Sequence, residues 1–437
     1  QRLGAPAAGR AGGGVGAPAP LRPALFRRQG RRGCATDGAD LRHRRLWRWG
    51  NTEAGYMRQG EVVEVSKTPT PVEEFQGASS AACGSSHSAV VVDGQLYTCG
   101  SNKYSQLGRE ASDESDSSTF AAVSVPGRVK QVALGAYHSA AVTESGDLWT
   151  WGWGGSFWYG AGALGHGSSE TMSEPTRVAA FGEQTGERVL QVACGAQHTV
   201  VLLESGRLFS TGKGDFGRLG HGSTRDEIEF EEIDYFQQER DSYFRPGEPA
   251  RIVKVAAGNN FSAAMSADGE LWLWGRNDFG QLGLGEEAMG DMYSAESFPR
   301  LLRSLPAEGH KILDFACGSN HVVVFTDQGA IYEWGNRTWL EPHAISLPEE
   351  HREALKDVEQ LAAGDKFSLA RTGCGRVFAW GAKSSGCLVQ GPSGPKNVVE
   401  PTPVASTEFG KQKVVELAAS KNRCLAITDE GELVAAE

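Results

Sequence analysis

One short pattern governs what this chain can fold into: an apolar run, a small residue, two variable positions and most often a histidine. It occurs seven times, as AACGSSH (81–87), VALGAYH (132–138), VACGAQH (192–198), VAAGNNF (255–261), FACGSNH (315–321), LAAGDKF (361–367) and LAASKNR (417–423). Between Gly84 and Ser420 the six intervals average 56 residues, a period of the size of a propeller blade. A chain of 437 residues is too long for one compact core unless it is repetitive, and this one is repetitive.

Each copy is followed by an alternating strand, a tight turn and a second strand. In SAAVTESGDLWTWG (139–152) apolar side chains alternate, and Gly146 supplies the positive φ of the turn. The turn glycine recurs as Gly94, Gly206, Gly269, Gly329, Gly375 and Gly431, twice after aspartate, at Asp93-Gly94 and Asp268-Gly269. That pair is a strong hairpin signal, because both central positions tolerate φ > 0. A lone hairpin is not stable in water, so the repeats must stack. The 57 glycines fit a fold built on tight turns, and 40% hydrophobic content supplies a core. No stretch reaches the roughly 18 to 20 apolar residues of a helical membrane span, so membrane insertion is not expected.

The order GxxH, glycine turn, LWxWG, then QLG or RLG resembles the repeats of the regulator of chromosome condensation family. The residues that carry the likeness are Leu148 to Gly152 with Leu164-Gly165, Leu208 to Gly212 with Arg218-Leu219-Gly220, and Leu271 to Gly275 with Gln281-Leu282-Gly283. The resemblance runs from about Leu46 to Glu437 and implies an all-β, seven-bladed β-propeller. The expected organisation is a non-globular basic arm over 1–45 and a propeller over 46–437. LWRWG (46–50) lacks an upstream GxxH half, and 417–437 carries that half but ends at the next strand. A final blade shared between the termini follows, since a ring must pair its first and last strands to remove its edges. ELVAA (432–436) also aligns with LWRWG, which leaves two claimants for one strand position.

Net charge is −11, yet residues 1–49 hold eleven arginines against Asp37 and Asp40. The chain as a whole is therefore too acidic for a general nucleic-acid binder, whereas its start is strongly basic. Rich in Arg, Ala and Gly, that start reads as a mitochondrial transit peptide or what remains of one, which places the protein in mitochondria, on the matrix side. Such a segment cannot bury enough apolar surface to order itself. Its expected holders are RNA phosphates, ribosomal RNA among them, or acidic protein grooves, contacted by Arg27, Arg28, Arg31, Arg32, Arg44 and Arg45.

Eight cysteines lie scattered with no CxxC pair, which fits a reducing compartment and no zinc ribbon. Cys83/His87, Cys194/His198 and Cys317/His321 each show CxxxH, but two ligands cannot close a zinc site and each pair belongs to a different blade. Packing and hydrogen bonding are the expected roles of these histidines, and inter-blade core that of Trp49, Trp151, Trp274, Trp334 and Trp380. No GxSxG, GxxxxGK[ST] or HExxH motif and no dinucleotide fingerprint is found, so no catalytic, cofactor or metal site is expected. The acidic stretch 224–246 reads as a solvated loop or a protein contact.

Some members of the family are exchange factors for small GTPases and use a charged wedge just after a WG strand. The corresponding insert here is WGGSFWYGAGA (153–163), which is apolar and aromatic instead, so that Phe157, Trp158 and Tyr159 read as a protein-docking knob. The expected function is a non-catalytic structural or accessory subunit of a large mitochondrial assembly, the ribosome or a respiratory complex, with the propeller as its interaction platform. The alternative is a guanine-nucleotide exchange factor for a small GTPase.

Overall fold

The computed structural model describes residues 44–50, 66–111, 119–156, 160–237, 243–244, 247–285, 294–382, 386–389 and 397–432. All of them fall in one compact unit, Arg32–Glu437. Seven four-stranded antiparallel sheets form the blades of an all-β propeller. Their innermost strands, in the order of blades 1 to 7, are Ala78–Cys83, Val129–Leu134, Val189–Cys194, Ile252–Ala257, Ile312–Cys317, Val358–Ala363 and Gln412–Ser420. Second strands such as His198–Leu203, Phe261–Ser266 and His321–Thr326 are buried at every position, because each blade is covered on both faces by its neighbours.

Blade 7 is built from both ends of the described chain. Outward from the axis its strands are Gln412–Ser420, Arg423–Glu432, Arg45–Gly50 and Ser66–Gln76. Leu46 lies opposite Ile427 and Trp49 opposite Cys424. The third position thus belongs to LWRWG; 433–437 lie outside the described residues. Arg45 is already part of this strand, and the Gly77 amide donates to the carbonyl of Arg44 at 2.9 Å. The acidic stretch also differs from the loop expected of it. Glu227–Glu232 is the outer strand of blade 3, and Asp234–Gln237 is a 3-10 turn that buries Phe236. Alternation of Ile228 and Phe230 with carboxylates is a strand pattern that the charge count hid.

The repeat motif is explained by contacts between blades. A Cβ on Gly84 would come within 2.6 Å of the His87 ring, so the first position of GxxH is small because the histidine folds back onto it. His87 Nε2 meets Ser139 Oγ of the next blade at 2.8 Å, His138 meets Thr199 at 3.0 Å, His198 meets Ser262 at 2.9 Å and His321 meets Ser368 at 3.1 Å. Burial lowers the imidazole pKa to about 3 for His87 and about 4 for His138, so these rings are neutral links and not charged ones. Replacing Thr199 with valine strands both His138 Nε2 and the Ala163 carbonyl, which the Thr199 hydroxyl reaches at 2.7 Å. A loss of about 1 to 3 kcal/mol is expected in urea denaturation. A neutral result would show that these polar contacts are dispensable.

A second link lies on the innermost strands, each of which slips register by one residue near its start, for example between Val129 and Gln131 and between Val358 and Gln360. The bulge turns the next side chain toward the following blade. Gln131 there accepts from the Val192 amide and donates to the Val192 carbonyl; Gln191 does the same to Val255 and Gln360 to Leu417.

Candidate partner-binding face

Pairing of His87 with Gly100, His138 with Gly152 and His198 with Gly212 puts the GxxH turns and the ends of the WG strands on one face of the ring. The long loops after the WG strands emerge there, and so does the insert of blade 2. That insert forms a two-stranded hairpin, Gly155–Ser156 with Gly160–Ala161. Its tip, Phe157, Trp158 and Tyr159, lies outside the described residues. The base of the hairpin is fixed: Ala161 donates its amide to Asp226 Oδ2 at 2.9 Å, and Asp226 Oδ1 accepts from the Gly214 amide at 2.9 Å, tying blade 2 to the loop of blade 3. Any side chain on Gly154 would overlap the carbonyl of Glu170, which accounts for the run of glycines that frames the hairpin.

Beside the hairpin stands an aromatic row that sequence reasoning missed. Tyr104 of blade 1 lies 4.8 Å from Tyr137, and Tyr137 lies 6.2 Å from Trp153 at the root of the hairpin. Tyr137 is 38% exposed, and the Lys103 ammonium sits 5.5 Å from the Tyr104 ring. Blades 3 to 5 carry a second cluster, a ladder of rings and guanidinium groups. Arg276 covers Phe216 at 4.8 Å and Phe279 at 5.3 Å, while Arg337 covers Phe279 at 4.5 Å. Asp278 orders the ladder by gripping Arg276 with both carboxylate oxygens, at 2.6 and 2.7 Å. The signal in the sequence is an aromatic residue two positions before QLG or RLG, in YSQLG, FGRLG and FGQLG. Amphipathic rings held rigid at low entropic cost are what a protein interface uses as anchors.

On the axis the turns surround a cavity of about 100 Å³ lined by Ser85, Ala136, Ala196, Asn259, Ser319 and Lys421, among others. Most of its rim is main chain already bonded blade to blade: Ser85 to Gly135, Ala196 to Asn259, Asn259 to Ser319 and Ser319 to Gly364. The wall thiols Cys83 and Cys194 are pushed up to about 12 by burial, so they are protonated and not poised as nucleophiles. Among the described residues no three His, Cys, Asp or Glu side chains come together as a metal site.

Of the arm residues, Arg27, Arg28, Arg31 and Arg32 lie outside the described residues. Arg45 is exposed on the third strand of blade 7. Arg44 is half-buried, its Nε without a hydrogen-bond partner, and acts on Glu416 at the junction of blades 7 and 1. Arg44 thus sits in the seam of the ring as well as at the end of the arm.

The family model of the RCC1-like domain matches residues 45–340. The ultraviolet-B receptor UVR8 of Arabidopsis thaliana is 31% identical over 300 residues, covering 67% of this chain and 61% of the receptor, so the chain spans about three-fifths of that relative's length. The Arabidopsis thaliana RCC1 domain-containing protein RUG3, mitochondrial, is 28% identical over 366 residues and covers 77% of each chain. The crystal structure of Prp20p from Saccharomyces cerevisiae superposes with a TM-score of 0.75 at 19% identity, covering 90% of this chain and 93% of that one, a likeness of fold.

Proposed function

The chain belongs to the RCC1-like domain family, and from that premise we propose that it is a non-catalytic accessory subunit of a mitochondrial assembly, with the propeller as a docking platform. The observation that carries this reading is the row Tyr104, Tyr137 and Trp153 at the root of the blade 2 hairpin, partly exposed on the face where the loops after the WG strands emerge. Phe157, Trp158 and Tyr159 are further candidates for contact with the partner. An arm over 1–45, through Arg27, Arg28, Arg31, Arg32 and Arg45, adds contacts to RNA phosphates or acidic protein grooves on the matrix side. The mitochondrial assignment is supported by the name of RUG3, which is similar over most of both chains, together with the basic start. The ribosome and a respiratory complex are the assemblies that fit.

The test is co-sedimentation from mitochondrial extract. Tyr137→Ala combined with Trp153→Ala is expected to release the protein from its particle while its melting temperature changes little, because hot spots of this kind are each worth roughly 2 kcal/mol or more. Full retention of the double variant would remove the platform reading. Nucleotide release from a panel of small GTPases is expected to be unchanged by the protein, since the insert lacks the charged wedge that exchange would require; acceleration lost on changing Trp158 and Tyr159 to alanine would establish the exchange factor instead.

A further inference from the structure

Round the axis the turns that follow the innermost strands are tied to one another by main-chain bonds. They run from the Ser85 amide on the Gly135 carbonyl, between blades 1 and 2, to the Asp365 amide on the Lys421 carbonyl, between blades 6 and 7. Between blades 7 and 1 no such bond is found among the described residues. Blade 7 turns differently there. Ser420 pairs directly with Arg423, so Lys421 and Asn422 form a two-residue hairpin turn, with Lys421 at a φ of +46°. Among the described residues neither amide of that turn has a hydrogen-bond partner, and the Ser85 hydroxyl on the other side of the junction has none either.

The same hairpin puts Arg423 where blades 1, 2, 3 and 5 carry the histidine of GxxH and blades 4 and 6 a phenylalanine. Arg423 is only 6% exposed, yet its guanidinium makes no hydrogen bond or ion pair among the described residues. Burial weighs against its charge, and the ionisable groups that act on it are the thiols of Cys99 and Cys83. Burial pushes those thiols up to about 11 and about 12, so they stay protonated and supply no counter-charge. The carboxylates of the neighbourhood act elsewhere: Glu416 with Arg44 and Arg371, and Asp365 on His321. At the equivalent place His87 and His138 are neutral rings. A guanidinium does not shed its proton, so a buried one needs an anion from some other source.

The axial cavity of about 100 Å³ reaches this junction, where Cys83, Ser85, Ser420 and Lys421 line it. Cys83 belongs to both features, as part of the cavity wall and as a thiol under the charge of Arg423. At roughly 10 to 15 Å³ per water the cavity has room for several waters, hence for a tetrahedral oxyanion and not for a nucleotide. We propose that the junction of blades 7 and 1 binds a small oxyanion of the phosphate class, paired with Arg423 and Lys421 and accepting from the Ser85 hydroxyl. The free groups at this place are donors and two of them are cations, which selects an anion. The ion supplies the link that main chain supplies at the other junctions, so the seam where the two ends of the chain meet is closed by a ligand.

The test is thermal unfolding of the full chain at constant ionic strength, with sodium phosphate replacing sodium chloride up to about 10 mM. A saturable rise in melting temperature is expected, because an ion held only by the folded ring stabilises it by mass action. Arg423→His restores the residue that four other blades carry at this place and is expected to abolish the rise. Lys421→Ala, on an exposed turn, is expected to raise the half-saturating phosphate concentration about tenfold. AMP, too large for the cavity, is expected to leave the melting temperature unchanged. Absence of a saturable rise in the wild type, an equal rise in Arg423→His, or an equal rise with AMP would each overturn the proposal. Should Arg423→His fail to fold, Lys421→Ala decides, and an unchanged half-saturating concentration would overturn it. Purified protein is used with no partner present, so failure here is distinct from failure of the platform reading.

Discussion

Removal of residues 1–50 is expected to abolish cooperative unfolding, whereas removal of 1–43 is expected to leave the melting temperature within about 2 °C of the full chain. The difference is seven residues, Arg44 and the strand Arg45–Gly50, the third of blade 7. Leu46 and Trp49 are fully buried there and Trp47 nearly so. Trp47 Nε1 donates to Thr428 Oγ1 at 3.0 Å and Trp49 Nε1 to the Cys387 carbonyl at 2.9 Å; both rings pack edge-on against Phe409, at 5.9 and 5.6 Å. Truncating one buried tryptophan costs about 3 to 5 kcal/mol, and a whole domain holds only about 5 to 15. Losing both, with the strand that covers Arg423–Glu432, exceeds what the ring can absorb and exposes a sheet edge to aggregation. Thermal melts of the two truncations decide the matter, with Trp49→Ala as an intermediate point. Equal melting temperatures would mean that blade 7 closes without the N-terminal strand.

How much of this was legible follows from which contacts repeat. The seven copies of the repeat motif, four of them GxxH, located all seven innermost strands, because a histidine or phenylalanine ring folds back onto the glycine in six of them and leaves that position little freedom. The two ends of blade 7 were legible for the same reason, since LWRWG is a third strand with no second strand of its own. The outer strand Glu227–Glu232 was not, because outer strands face solvent and their charge resembles that of a loop. The Tyr104, Tyr137 and Trp153 row was hidden differently. Its members come from three segments of two blades, and only the closed ring sets them side by side.

One junction carries a chemical mismatch that makes the stability of the ring depend on pH. Gln131, Gln191 and Gln360 clasp the next blade by accepting from an amide and donating to the carbonyl of the same residue. Between blades 7 and 1 the clasp is Glu416. Its Oε1 accepts from the Ala81 amide at 3.1 Å and from Ser80 Oγ at 3.2 Å, but an ionised carboxylate has nothing to donate to the Ala81 carbonyl. Burial raises the Glu416 pKa from 4.5 to about 7, against the opposing pull of the Ala81 amide, Ser80, Arg44 and Arg371. Because the folded-state pKa lies above the unfolded one, the stabilisation from this group is fully present below about pH 4.5. It drains away as pH rises toward 7 and is gone above that. At 1.36 kcal/mol per unit the change is about 3 kcal/mol. Glu416→Gln restores both halves of the clasp and cannot titrate. The variant is therefore expected to match the wild type near pH 4.5, to exceed it by about 3 kcal/mol at pH 8, and to lose most of the pH dependence between. Urea denaturation of both proteins at pH 4.5, 6 and 8 measures the difference directly. Parallel stability curves would show that Glu416 stays ionised in the folded ring, with Arg44 and Arg371 sufficient to hold its charge.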